Sequence, residues 1–300
     1  MFIKYYYIIY IIYMSVDKDY YDRLLLKTNE DEDAKERIIK KRDKITLENE
    51  TLIYIVPNFG LGDIILTIGG IRYYATLYDT VIVICPNDKL INIKLLLRDD
   101  VNIKVENSLN LNNQLTNDFF GNKYIVCGFH KSFKQWGGSI INTNDVSLIP
   151  ECYYWDLQLD PSIRMDYFYF RPTVESELLY NLVKDYKYIF IHNASSDGVS
   201  DMSFLNNMKS EYLLINCAMN MYSKDEYYYS LAERFVNRYV IHYSKVIENA
   251  IELHLVDSGI NAFVQQLDLS KVSVKKIYIR GNREYKSLIQ PGCEKIHLFT

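Results

Sequence analysis

The sequence predicts an α/β protein with two Rossmann-like domains whose parallel sheets face a central cleft. Three observations predict it. Short β-branched and aromatic runs alternate with segments of helical periodicity from residue 51 to residue 280, the pattern of parallel sheets joined by right-handed crossovers. An aromatic, proline-bearing stretch, residues 139–172, divides that series into two halves of similar size. Loops containing glycine follow an early strand in the first half and a middle strand in the second.

The elements follow in order. Leu52 to Val56 is short and β-branched, so it reads as a buried strand. Pro57-Asn58-Phe59-Gly60-Leu61-Gly62-Asp63 turns the chain, and Gly60 and Gly62 permit a close backbone approach that larger residues block. Ile64 to Leu77 carries apolar residues at 64, 65, 68, 71 and 75, which is helical spacing. Strands are expected at 81–85, 101–105 and 123–127, a helix at 88–98, and a loop over the Asn-rich residues 106–118. Residues 139–172 are expected to be loop-rich, with 151–172 as the interdomain connection. In the second half Thr173 caps a helix over 174–184, with Glu175 and Glu177 favourably placed near its N-terminus. Strands are expected at 188–192, 212–216, 251–256 and 274–279, and helices at 225–237, 244–250 and 260–267. The domain reading is an extension over 1–50, an N-terminal Rossmann-like domain over 51–150 and a C-terminal one over 173–300.

The totals narrow the function classes. Thirty-four basic against 38 acidic residues leave the chain mildly acidic, against a nucleic-acid partner. Twenty-eight tyrosines, with many Ile, Asn and Lys residues, fit the codon usage of an AT-rich genome, such as a large virus or a low-GC microbe. Five scattered cysteines without a C-x-x-C pair fit reduced thiols in a cytoplasmic protein. Met1 to Met14 is apolar but shorter than the ~20 residues a membrane-spanning helix requires, and no small-residue cleavage site follows, so no membrane span is expected. Asp31-Glu32-Asp33 formally matches an Asp-x-Asp metal motif but lies in a polar run that reads as a solvated face. No histidine pair has metal-ligand spacing, so no metal is expected, and the histidines read as structural. The run Tyr153-Tyr154-Trp155 reads as packing at the domain junction, with stacking on a sugar ring as the alternative.

In open α/β sheets ligands bind outside the carboxyl ends of the strands. The loops 57–63 and 257–260 occupy such ends. Ser258 and Gly259 offer a hydroxyl and backbone N–H groups suited to a diphosphate, while capping of the following helix by Asp257 or Ser258 is the structural alternative. The dinucleotide fingerprint is incomplete, since residue 65 is Ile, which argues against a nicotinamide enzyme.

Asn58-Phe-Gly-Leu-Gly-Asp-Ile-Ile-Leu-Thr67 followed by Gly70-Ile71-Arg72 resembles the opening motif of heptosyltransferase-like glycosyltransferases of the GT-B fold. Ile251-Glu-Leu-His-Leu-Val-Asp-Ser-Gly259 resembles the motif by which their second domain meets the nucleotide diphosphate. The resemblance implies transfer of a sugar from a nucleotide-diphosphate donor to a glycan or other hydroxyl acceptor, without a metal or other cofactor. It places the acceptor on the first domain and the donor on the second. It implies Asp63 as the general base and Ser258 and Gly259 at the donor diphosphate, with Gly60 and Gly62 in the glycine loop. From their places in the sequence, Asp257 suits helix capping or a sugar-hydroxyl contact at the donor, Asn193, Ser195 and Arg280 are further donor-side candidates, and His130, in the loop near the interdomain connection, is the acceptor-side candidate. The chain departs from the family in one respect: Asn193 to Ser203 contains no Lys or Arg where a cation for the diphosphate is expected, leaving Arg280 or Lys224 as substitutes. That departure keeps a non-catalytic nucleotide- or glycan-binding homologue as the alternative function.

Overall fold

The structure, a computed structural model, describes residues 51–58, 60–108, 123–128, 135–136, 139–140, 149–195, 198–280 and 292–298. The expected extension over 1–50, His130 and most of the Asn-rich loop lie outside the described residues. The chain divides into two compact units. The first comprises residues 1–49 and 134–141; its described part is an antiparallel pair of two-residue strands, Gln135–Trp136 and Ser139–Ile140. The second, residues 50–133 and 142–300, contains everything below.

The first sheet of this second unit is built from β1 (Leu52–Pro57), β2 (Thr80–Cys85), β3 (Ile103–Asn107) and β4 (Lys123–Cys127). Its order is β3-β2-β1-β4 and every pairing is parallel. The direction of winding therefore reverses between β1 and β4, the kind of switch point beside which open α/β sheets bind ligands.

Helix α1 (Leu61–Ala75) follows β1, and α2 (Leu90–Leu96) follows β2. Ile64, Ile65, Ile68 and Ile71 are fully buried, and Leu66 and Tyr74 nearly so, which makes the helix apolar on almost every face. Such a helix is covered from several sides. The sheet covers one; α3 (Ile149–Asp156) and α4 (Arg164–Tyr167) cover another. Tyr154 joins them, donating from its hydroxyl to Leu66 O (3.2 Å) and accepting from Gly70 N (3.2 Å). At the far end the buried Arg72 guanidinium meets Asp100 through Nε at 3.0 Å and Tyr167 O and Leu96 O through its terminal nitrogens, and lies over the Tyr169 ring.

The second sheet comprises β5 (Tyr188–His192), β6 (Leu213–Asn216), β7 (Glu252–Val256), β8 (Val274–Arg280) and β9 (Glu294–Leu298). All pairings are parallel, in the order β6-β5-β7-β8-β9, so this sheet reverses between β5 and β7. Helix α5 (Val174–Val183) precedes it, opened by a reciprocal cap: Ser176 N donates to Thr173 Oγ1 at 3.0 Å and Thr173 N to Ser176 Oγ at 3.1 Å. Then come α6 (Tyr229–Phe235), α7 (Ser244–Glu248) and α8 (Gly259–Val264).

The expected strands and capped helix are present within a few residues. Three expectations change. Helix α1 begins three residues early, because Ile64 N closes the first turn on Gly60 O at 3.0 Å; Asp63 thus sits inside the first turn. The stretch expected to be loop-rich contains α3, a 3₁₀ turn at Pro161–Ile163 and α4, because its aromatic residues bury against α1. The helix expected over 225–237 is confined to α6, and the 3₁₀ segment Ser203–Ser210 and strand β9 were not anticipated.

Candidate active site

Two polar clusters form at the two sheet reversals. The first lies beyond β1 and β4, where Pro57 pairs with Cys127. Asn58 Nδ2 donates to Gly128 O at 2.8 Å, and Gly128 N donates to Asp156 Oδ2 at 2.7 Å. Gly128 has φ +85, and a Cβ there would lie 2.1 Å from the Tyr153 ring, so both its conformation and its neighbour require glycine. Tyr153, almost fully buried on α3, donates its phenol to the Asp63 carboxylate. Burial first, then the Asp63 charge and this hydrogen bond, push the phenol far above its ordinary range, so it remains a donor. Asp63 is half-buried and curls back over its own turn: a Cβ on Gly60 would lie 2.3 Å from Asp63 Oδ2. The carboxylate is thereby fixed on both sides. Cys127, enclosed behind it, is kept a thiol by burial and by Asp156 and Asp63.

The second cluster lies beyond β5 and β7, where His192 pairs with Leu255. Ser258 occupies the N-cap position of α8 but makes no side-chain cap. Its Oγ sits 3.1 Å from His192 Nδ1 instead. Burial holds His192 down at about 4, so the ring is neutral at physiological pH. The Asp257 backbone N–H donates to Tyr278 O at 3.1 Å.

The two clusters meet. Helix α8 packs on α1 where Gly259 faces Gly62: a Cβ on Gly62 would lie 2.9 Å from Gly259 Cα, and one on Gly259 would lie 3.1 Å from Gly62 N. The glycines of the two sequence motifs are therefore each other's neighbours, and the close approach expected of Gly62 is an approach to Gly259.

The remaining expected residues are placed as follows. Asn193, buried beyond β5, donates to Ser200 O at 3.0 Å and accepts from Asn216 Nδ2 at 3.1 Å, so its amide joins two strand ends. It borders a cavity of about 650 Å³ at the carboxyl ends of β5 and β6, lined also by Asn216, Tyr222, Lys209 and Glu226. Lys209 is ion-paired with Glu226 across it. Ser195 is half-buried in a two-residue strand paired with Gly198–Val199. Arg280 ends β8. Lys224 is exposed. Among the described residues no group of three or more His, Cys, Asp or Glu side chains is arranged to hold a metal, and no helix is long and apolar enough to cross a membrane.

Two residues that the sequence marks as packing or structural contact expected site residues. Tyr153 reads as packing in the sequence, and it packs, but its hydroxyl also meets Asp63. His192 reads as structural in the sequence, yet it is the last residue of a strand beside the sheet reversal, where ligands of open α/β sheets bind.

No protein-family model and no curated sequence matches the chain. Solved structures do. The chain is similar to the ADP-heptose lipopolysaccharide heptosyltransferase II of E. coli at a TM-score of 0.55 and 10% identity, over 83% of this chain and 91% of that one. It is also similar to a family 9 glycosyl transferase from Veillonella parvula (TM-score 0.45, 10% identity, 84% of this chain and 88% of that one). A third match is TibC, an iron-containing dodecameric glycosyltransferase of enterotoxigenic E. coli (TM-score 0.47, 12% identity, 79% of this chain and 60% of that one). The first of these shows that the chain shares its mixed α/β, parallel-sheet fold with heptosyltransferase II.

Proposed function

We propose that this protein is a glycosyltransferase that moves a sugar from a nucleotide-diphosphate donor to an acceptor hydroxyl, without a bound metal. The observation that carries the reading is the meeting of the two motifs: Gly62, next to the fixed carboxylate of Asp63, touches Gly259, next to the hydroxyl of Ser258. A base and a leaving-group subsite are needed within one sugar's reach of each other, and this contact supports that placement. Shared fold with a heptosyltransferase supports it further.

In this reading the acceptor oxygen attacks the anomeric carbon while its proton passes to the Asp63 carboxylate. The bond from that carbon to the diphosphate oxygen breaks, and its electron pair leaves with the nucleoside diphosphate. Ser258 hydrogen-bonds the departing phosphate oxygens. Tyr153 holds Asp63 in one orientation throughout. The donor half supplies the nucleotide site and the acceptor half the base, with the sugar in a cleft between them.

One observation favours a second reading, a binding homologue without turnover. Residues 193–203 contain no Lys or Arg, and Lys209, the next cation, is ion-paired with Glu226. One experiment separates the two. Nucleoside diphosphates are screened by thermal shift in EDTA, where a ligand that binds the native state raises Tm. Donor turnover is then compared between the wild type and Asp63→Asn. The transferase reading expects a shift with one diphosphate, and a loss of turnover of about 10²- to 10⁴-fold in Asp63→Asn with the Tm shift retained. A Tm shift without wild-type turnover on the matching nucleotide sugars supports the binding reading. A shift with NAD alone overturns both.

A further inference from the structure

We propose that His192 positions the Ser258 hydroxyl for the leaving diphosphate, donating from Nδ1–H to Ser258 Oγ so that the serine proton is aimed at a phosphate oxygen. This inference rests on the glycosyltransferase reading and extends it to a residue that the sequence motifs do not contain.

The geometry supports each part. Ser258 stands where a helix cap is usual, and a serine there ordinarily turns its oxygen to the backbone N–H groups of the first turn. Here it makes no such bond. Its Oγ lies instead 3.1 Å from His192 Nδ1, across 66 residues of sequence. The two side chains come from adjacent strand ends at the sheet reversal, and no other hydrogen bond joins them there to a described group.

The chemistry fixes the direction of the bond. A serine that gives its proton to the imidazole would show only lone pairs to an anion, which repels. A serine that accepts from Nδ1–H keeps its own proton to donate. A chain of N–H to O–H to phosphate oxygen also strengthens each link by polarisation. Burial keeps the ring neutral, so it carries a single N–H. The arrangement fits the missing cation: with no Lys or Arg in 193–203 and Lys209 already paired, aligned neutral donors take the place of a charge.

The test measures calorimetric affinity for UDP, GDP, ADP and CDP in wild type, His192→Leu, His192→Asn, Ser258→Ala and the His192→Leu/Ser258→Ala double variant. Histidine ¹⁵N shifts of the wild type bound to its diphosphate are recorded in parallel. His192→Leu and Ser258→Ala should each weaken binding about ten- to a hundredfold, as expected for one hydrogen bond to a charged group. His192→Asn, whose amide offers an N–H at the same branch, should bind within about threefold of wild type. The double variant should match Ser258→Ala alone, because the histidine acts through the serine. The bound His192 should show the Nδ1–H tautomer.

Wild-type affinity in His192→Leu overturns the inference alone, as does a double variant whose loss is the product of the two single losses. An Nε2–H tautomer in the complex overturns it as well, and that measurement stands even where His192→Leu fails to fold. A wild type that binds none of the four diphosphates overturns the glycosyltransferase reading and this inference with it.

Discussion

Gly62 and Gly259 touch through their backbones, one in the first turn of α1 and the other at the start of α8. A methyl group at either position would press on the backbone of the other helix. A Cβ on Gly62 meets the Gly259 Cα at 2.9 Å, and backbone on both sides has no rotamer with which to yield. Gly62→Ala and Gly259→Ala should each cost about 1–3 kcal/mol of stability by overpacking. The double variant should cost less than the sum of the two, because the first methyl already separates the helices. Urea unfolding of the three variants checks this.

Tyr153→Phe removes the phenol that holds Asp63 and keeps the ring that fills the space over Gly128. The stability loss should be about 1 kcal/mol, the usual net worth of a buried hydrogen bond. In the proposed transferase reading the catalytic effect should be larger and should fall on kcat, with KM for the donor nearly unchanged, since there the base that the tyrosine orients acts in the chemical step. Steady-state kinetics with the donor identified by thermal shift measures the split. Equal changes in kcat and KM would argue that Tyr153 only packs.

Arg72 and Asp100 form a pair in which both side chains are largely buried, at 5% and 11% exposure. The guanidinium also reaches the carbonyls of Leu96 and Tyr167, so it ties α1 to the ends of α2 and of α4. Asp100→Ala leaves a buried cation without its partner and should cost about 3–5 kcal/mol. Arg72→Lys should destabilise too, because one ammonium cannot replace the planar fork. Thermal unfolding of both variants provides the measurement, and a loss under about 1 kcal/mol for Asp100→Ala would contradict the assignment.

His192 makes stability depend on pH in a defined direction. Its ordinary value of 6.5 falls to about 4 in the folded chain, because burial disfavours the charged ring. Between those values the unfolded chain binds more protons than the folded one. Stability therefore falls as pH drops from about 6.5 towards 4, by at most about 1.4 kcal/mol per pH unit from this residue. His254 and His242, also lowered chiefly by burial, act in the same direction. Urea unfolding at about pH 7, 6 and 5 should show the decline, with a shallower slope in His192→Asn.

Local order was legible because local interactions decide it. The β-branched run at 52–56, the apolar spacing from 64 onward and Thr173 ahead of 174 each identify an element from a few neighbouring residues. Element ends were less legible. Gly60 O captures the N–H of Ile64 and moves the start of α1 to Leu61, and burial against α1 turns the 149–167 segment helical. The absence of capping by Ser258 was not legible, since a serine before a helix reads as a cap and the histidine that takes its hydroxyl is 66 residues away.

The sequence by itself determined two strand–glycine–helix junctions, an acid in the first turn of one and a hydroxyl at the head of the other. Their spacing along the chain says nothing of their distance in space. Sheet order decided that distance: the reversals between β1 and β4 and between β5 and β7 place these junctions at strand ends, and packing of α8 on α1 presses Gly259 against Gly62. The same tertiary contacts brought Tyr153 to Asp63 and His192 to Ser258. Each joins elements whose side chains must share buried space, and that is a property of the assembled sheets and helices, absent from any local window of residues.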